Sequence, residues 1–90
     1  MARVRFTANL ERHVAAPMTE VQGETVREAL DRVFQANPLL RGYVVDERGA
    51  LRKHMLIFVN GQQITDREKL SDEVGPTDEI FVLQALSGGI

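Results

Sequence analysis

Along the first residues of the chain, Val4, Phe6 and Ala8 alternate with Arg3, Arg5 and Thr7. A period of two predicts a strand with one face in the core and one in water. The run "MTEVQG" repeats the pattern more briefly, with Met18, Glu20 and Gln22 alternating with Thr19 and Val21 until Gly23, and predicts a short second strand. The period then changes. In "ETVREALDRVFQANP", Val26, Ala29, Leu30, Val33 and Phe34 recur at helical spacing and form one apolar stripe. Thr25 is placed to cap the first turn. Glu28, three residues later, completes a capping box in which each side chain accepts the other residue's free backbone N–H. Asn37-Pro38 ends the helix, because proline disfavours helical backbone in the residue before it.

The segment "LLRGYVVDERGALR" predicts a short turn of helix and then an irregular connection, with a turn from Asp46 to Gly49. In "HMLIFVNGQQI" an apolar strand meets Asn60-Gly61, a pair suited to the left-handed backbone of a two-residue hairpin, and a brief return strand follows. "TDREKLSDEVGPTD" is mainly polar; Leu70 and Val74 are its expected core anchors, and Pro76 closes it. "EIFVLQAL" is the last expected strand, and "SGGI" lies beyond it. Two strands, one helix and two or three further strands predict an α+β domain, a mixed sheet of four to five strands packed on one main helix. No repeat or low-complexity linker interrupts it.

Ninety residues make a single domain with a modest core, since a chain of this size removes little more than about 60% of its unfolded surface from water. A hydrophobic fraction of 43% and a charged fraction of 27% are ordinary for a globular protein. The absence of cysteine excludes disulfides, thiolate zinc sites and a cysteine nucleophile. "MARVRFTANLERH" lacks the apolar core of a signal peptide, and no run reaches the roughly 20 apolar residues that span a bilayer, so a cytoplasmic protein without a membrane partner is expected. A net charge of -2 gives no broad basic footprint for nucleic acid, and Arg3, Arg5 and Arg52-Lys53 read as local pairs on solvated faces.

The domain offers little chemistry of its own. His13 and His54 share no metal-ligand spacing with carboxylates, so no metal site is expected. The acidic residues stand in mixed-charge company, in "VDER", "TDREK" and "SDE", as on a solvated surface. Ser87 lies in a tail and not in the strained elbow of a hydrolase nucleophile. Gly88-Gly89 has no following helix whose amides would cradle a phosphate. What remains is the tail.

Taken in order, the strand-strand-helix-strand-strand arrangement and the free Gly-Gly resemble the β-grasp fold of ubiquitin and of the MoaD/ThiS sulfur carriers. "LIFVNGQQITDREKLSD" is similar to ubiquitin's apolar strand, its turn with Gly and Gln, and its downstream Leu-Ser-Asp. "VNG" and "DEIFVLQALSGG" are more similar to MoaD and the CysO-like carriers, in which Asp-Glu or Asp-Ser opens the last strand and Gly-Gly ends the chain. The long "LLRGYVVDERGALRKH" connection is also like CysO. The resemblance covers most of the chain and implies a β-grasp domain over 1–86 with a flexible tail over 87–90.

It further implies a role as protein co-substrate, not enzyme. In the family, a ubiquitin-activating-like adenylyltransferase uses ATP to adenylate the terminal glycine carboxylate. Sulfur from a sulfur source then replaces AMP, and the resulting thiocarboxylate supplies sulfide to an enzyme of molybdopterin, thiazole, cysteine or related biosynthesis. On this pattern Gly89 bears the thiocarboxylate, and Leu86, Ser87, Gly88 and Gly89 form the tail that enters the activating enzyme. Glycines lack the side chains that would block a narrow channel. The chain itself would bind no cofactor. Ile90 departs from the pattern: one more residue moves the carboxylate by about 3.3 Å, and its β-branch crowds it. Similar carriers have such extensions trimmed by zinc metalloproteases, and removal of Ile90 is expected here.

Along the last strand Ile80, Val82 and Gln84 share one side, and Phe81, Leu83 and Ala85 the other. Positions matching Ile80 and Val82 point inward in the similar proteins, which turns Phe81 and Leu83 outward. On the third strand Met55, Ile57 and Val59 then face in, and Leu56 and Phe58 out. An exposed cluster of Leu56, Phe58, Phe81 and Leu83 implies a partner-binding face; the alternatives are a cover from "GYVVDERGALR" or self-association. Two other functions stay open. One is a ubiquitin-like modifier joined through Gly89 to protein lysines. The other is a β-grasp interaction module whose tail does no chemistry.

Overall fold

Five strands form one mixed sheet in the computed structural model, which describes residues 2–6 and 18–84. They are β1 (Ala2–Phe6), β2 (Thr19–Val21), β3 (Met55–Val59), β4 (Gln62–Gln63) and β5 (Glu79–Gln84), with helices α1 (Val26–Ala36) and α2 (Pro38–Val44) between β2 and β3. The spatial order is β2-β1-β5-β3-β4. β5 runs parallel to β1, with Arg3 opposite Glu79 and Phe6 opposite Val82, and antiparallel to β3, with Met55 opposite Gln84 and Val59 opposite Ile80. The last strand therefore lies between two hairpins.

The alternation read from the sequence sets which residues enter the core. Ala2, Val4 and Phe6 are buried while Arg3 and Arg5 are exposed. Met55, Ile57, Ile80 and Val82 are fully buried. The stripe of α1, Val26, Ala29, Leu30, Val33 and Phe34, covers that inner face. Leu70 and Val74 complete the core from the loop before β5.

The capping box at α1 forms only in part. Thr25 is extended and its Oγ1 accepts from the N–H of Glu28 at 3.2 Å, but the Glu28 carboxylate accepts from Glu24, one residue further back, at 2.8 Å. The chain on both sides of Thr25 is bonded to the loop before β5, Val26 N–H to Asp72 O and Val74 N–H to Glu24 O, each at 2.9 Å. That pairing fixes the entry to the helix by tertiary contact.

The second helix is longer than the single turn expected. Asn37 takes the non-helical backbone that precedes a proline, Pro38 opens α2, and Leu40 and Val44, one turn apart, bury its inner side. Beyond it Val45 and Leu51 pair in an isolated bridge, and Asp46 closes the intervening turn by accepting from Arg48 N–H at 2.9 Å and Ala50 N–H at 3.0 Å. Gly49 has φ +83, the left-handed value that favours glycine. The Arg27 guanidinium ties this turn to the later loop, donating to Gly49 O at 2.9 Å and to Lys69 O at 3.0 Å. Val44, Val45 and Leu51 thereby join the core on the helix side of the sheet. Among the described residues, the opposite face of the sheet is left to β-strand side chains.

Candidate functional site

That opposite face carries the four apolar residues singled out in the sequence. Leu56 lies directly across from Leu83, and Phe58 from Phe81, in the β3–β5 ladder. Cross-strand neighbours of this kind shield one another, and all four are half-buried and not fully exposed. The "GYVVDERGALR" connection packs on the other side of the sheet and gives them no cover.

Two charged residues border the apolar pair of strands. Arg5 on β1 stands next to Phe81 in the parallel ladder, and its Nη1 lies 3.6 Å from Glu79 Oε1. Exposed ion pairs of this kind contribute on the order of 0–1 kcal/mol, so the pair shapes the rim more than it holds the fold. Arg5, Phe58, Gly61, Glu79, Phe81 and Leu83 line a groove of about 440 Å³. Its floor is aromatic and aliphatic, its edge is charged, and it runs toward Gln84 at the end of β5. Nothing local in the sequence marks Arg5 and Glu79 as groove residues. They meet because β1 and β5 are parallel neighbours, a pairing between the two ends of the sequence.

At the start of β5 the backbone is set by polar contacts. Asp78 accepts from Gly75 N–H at 2.7 Å and from Asn60 Nδ2 at 2.7 Å, and these bonds hold its carboxyl below the usual carboxylate range. Asn60 and Gly61, at φ 51 and 85, make the tight hairpin that the sequence predicts. Among the described residues no cluster of His, Asp or Glu is arranged to hold a metal ion. Leu86, Ser87, Gly88, Gly89 and Ile90 lie outside the described residues.

The profile of the ThiS family matches residues 4–89. The chain belongs to the ThiS family. Solved structures of the same shape bear this out at the level of fold, which is β-grasp. A chain of the BexX/CysO complex of Amycolatopsis orientalis superposes with a TM-score of 0.82 at 24% identity, over 96% of this chain and 97% of that one. CysO of Mycobacterium tuberculosis gives 0.80 at 17% identity, over 96% and 100%. The small archaeal modifier protein SAMP1 of Methanosarcina acetivorans gives 0.80 at 26% identity, over 98% and 95%. No curated protein is matched by the sequence. Among the described residues of this ThiS-family chain, no helix is long and apolar enough to cross a membrane.

Proposed function

We propose that this ThiS-family protein is a sulfur carrier that acts through Gly89 after Ile90 is removed. The observation that carries the proposal is the extent of the family match, which reaches residue 89 and leaves only Ile90 outside it at that end. In the first step a Gly89 carboxylate oxygen bonds to the α-phosphorus of ATP and pyrophosphate leaves, giving an acyl-adenylate. In the second, sulfide attacks the acyl carbon and AMP leaves, giving the thiocarboxylate. Both steps take place in a partner adenylyltransferase, which supplies the catalytic groups. A sulfur-accepting biosynthetic enzyme is the next partner, and a zinc metalloprotease is the proposed trimming enzyme. The face of Leu56, Phe58, Phe81 and Leu83 is the proposed docking surface, since it is apolar, only half-buried among the described residues, and extends along β5 to Leu83, one residue before the strand's end.

The experiment compares intact masses after incubation with the adenylyltransferase of the same organism, ATP and sulfide. The full chain is expected to keep its mass, and the chain ending at Gly89 to gain the 16 Da that separates sulfur from oxygen, roughly what replacing one oxygen of a terminal carboxylate requires. If neither chain reacts, the carrier reading fails. A second reading, a protein modifier, is supported by the likeness to SAMP1, named a small archaeal modifier protein. Lysine-linked adducts of the chain in cell extracts, without any thiocarboxylate, are the result that would favour it.

A further inference from the structure

Basic residues gather at the end of the sheet from which the tail departs. The register fixes that end: Met55 lies opposite Gln84, so residues 52–54 sit beside the point where β5 passes into residues 85–90. Arg52 Nε donates to Gly42 O at 2.7 Å, which draws the end of α2 and Arg41 to the same place. Arg67 Nη2 donates to Arg52 O at 2.8 Å. Arg41, Arg52, Lys53 and Arg67 thus form a rim, with His54 next to it in the chain.

Among the described residues the ion pairs are Arg3 with Glu20 and Arg5 with Glu79, and none of the four rim residues has one. Arg52 and Arg67 are held by neutral carbonyls, which orient the guanidinium groups without cancelling their charge. Asp46 feels Arg52, but its carboxylate is engaged first by the N–H of Ala50. The chain as a whole has a net charge of -2, so the positive rim runs against its overall sign. Asp72, Glu73 and Asp78 line a polar hollow with Asn60 at the other end of β5. The arginines beside the start of β5, Arg3 and Arg5, are paired with Glu20 and Glu79, whereas the rim at its end holds guanidinium groups bound to neutral carbonyls.

We infer that this rim docks on an acidic protein surface around the mouth of the channel that receives the tail, and that it governs how fast and in what orientation the carrier lands. The inference rests on the carrier reading above. Reach favours protein over nucleotide as the rim's target. Gly89 lies five positions beyond Gln84, and at roughly 3.3 Å per position an extended tail covers about 16 Å. That exceeds the ~10 Å over which charges act at 0.1 M salt. When Gly89 meets ATP, the rim meets the wall around the channel. Charges at the edge of an interface act mainly on association and its salt dependence.

The test is stopped-flow association of the full chain with its adenylyltransferase, without and with ATP, from low to physiological ionic strength. The double variant R41E/K53E changes two exposed side chains, and Lys69→Glu, on the exposed turn after Arg67, is the charge control. The double variant is expected to associate about tenfold more slowly and to lose most of the salt dependence, with dissociation changed less than about twofold. Its thermal unfolding should match the parent, and Lys69→Glu should bind like the parent. An unchanged association rate, an equal loss in Lys69→Glu, or a defect that emerges only once ATP is bound would each overturn the inference. Adenylation of the chain ending at Gly89 is read separately. A chain ending at Gly89 that binds through the rim yet is never adenylated sinks the carrier reading alone.

Discussion

Asn60 and Asp78 are joined side chain to side chain, Asn60 Nδ2 donating to Asp78 Oδ1 at 2.7 Å. The contact fastens the β3–β4 hairpin to the start of β5. Asn60 Oδ1 accepts from Glu79 N–H at 2.9 Å, and Asn60 N–H donates to Glu79 O at 2.9 Å. Asn60 also holds φ 51, where asparagine is better tolerated than most residues.

Replacing Asn60 by alanine removes two side-chain hydrogen bonds and leaves a residue poorly suited to that backbone. The expected loss is about 2 kcal/mol, from roughly 1 kcal/mol for the bonds and a similar amount for the backbone. Asn60→Gly keeps the backbone freedom and should fall between alanine and the parent. Urea denaturation at unchanged m checks the order; an alanine variant as stable as the parent counts against it.

Acid should weaken the fold in a defined window. Asp66 accepts from the N–H of Lys69, from the hydroxyl and N–H of Ser71 and from the N–H of Glu68, and these bonds lower its pKa from 3.8 to about 2. Asp72, bonded to Thr65, and Asp46, bonded to Ala50, are lowered as well. A carboxyl with a lower pKa folded than unfolded stabilises the fold above the unfolded value, and loses that contribution as pH falls through the folded one. The urea midpoint is therefore expected to drop between about pH 4 and pH 2, and Asp66→Asn to be less stable than the parent at neutral pH with a shallower fall. A parent midpoint that stays level across this window contradicts the proposal.

Leu70 combines a left-handed backbone, φ 56, with a side chain that is 1% exposed. Burial outweighs the backbone penalty, since removing a buried leucine side chain costs roughly 2–5 kcal/mol against about 1–2 kcal/mol for the left-handed conformation. Leu70→Ala loses the first term and retains the second. Leu70→Gly is expected to be at least as stable as Leu70→Ala, the reverse of the order found where backbone is helical or extended. Calorimetric melting of the two variants decides it.

On the outer face, Phe81→Asp should weaken binding to the adenylyltransferase by about thirtyfold or more, the scale of a central interface aromatic at 2 kcal/mol. Far-ultraviolet circular dichroism serves to show that the sheet is kept. Equal affinity in a folded Phe81→Asp variant removes the proposed docking face.

The elements easiest to read from the sequence were those governed by local chemistry. The α1 stripe from Val26 to Phe34 and the Asn60-Gly61 turn appear where periodicity and backbone preference put them. The second helix exceeds the single turn that its sequence predicts: Gly42, unfavourable in a helix, falls inside its seven residues, and Leu40 and Val44 are its buried residues. Glu28 accepts from Glu24 and not, as the capping box predicts, from Thr25, because contacts with residues 72–74 set the chain's path before the helix. Arg52-Lys53 read as a solvated pair; Arg41 and Arg67 join it only through hydrogen bonds to carbonyls distant in sequence. The groove was half visible, its apolar residues through alternation, but its charged edge depends on strands from opposite ends of the chain.

Because β5 fills the gap between the β1–β2 and β3–β4 hairpins, the sheet is two separate halves until residues 79–84 have been made. During synthesis the earlier segments leave the ribosome first. A nascent chain thus has no complete sheet until the last strand has emerged, so a partner that docks on the sheet as proposed would meet its surface only after residues 79–84 are in place.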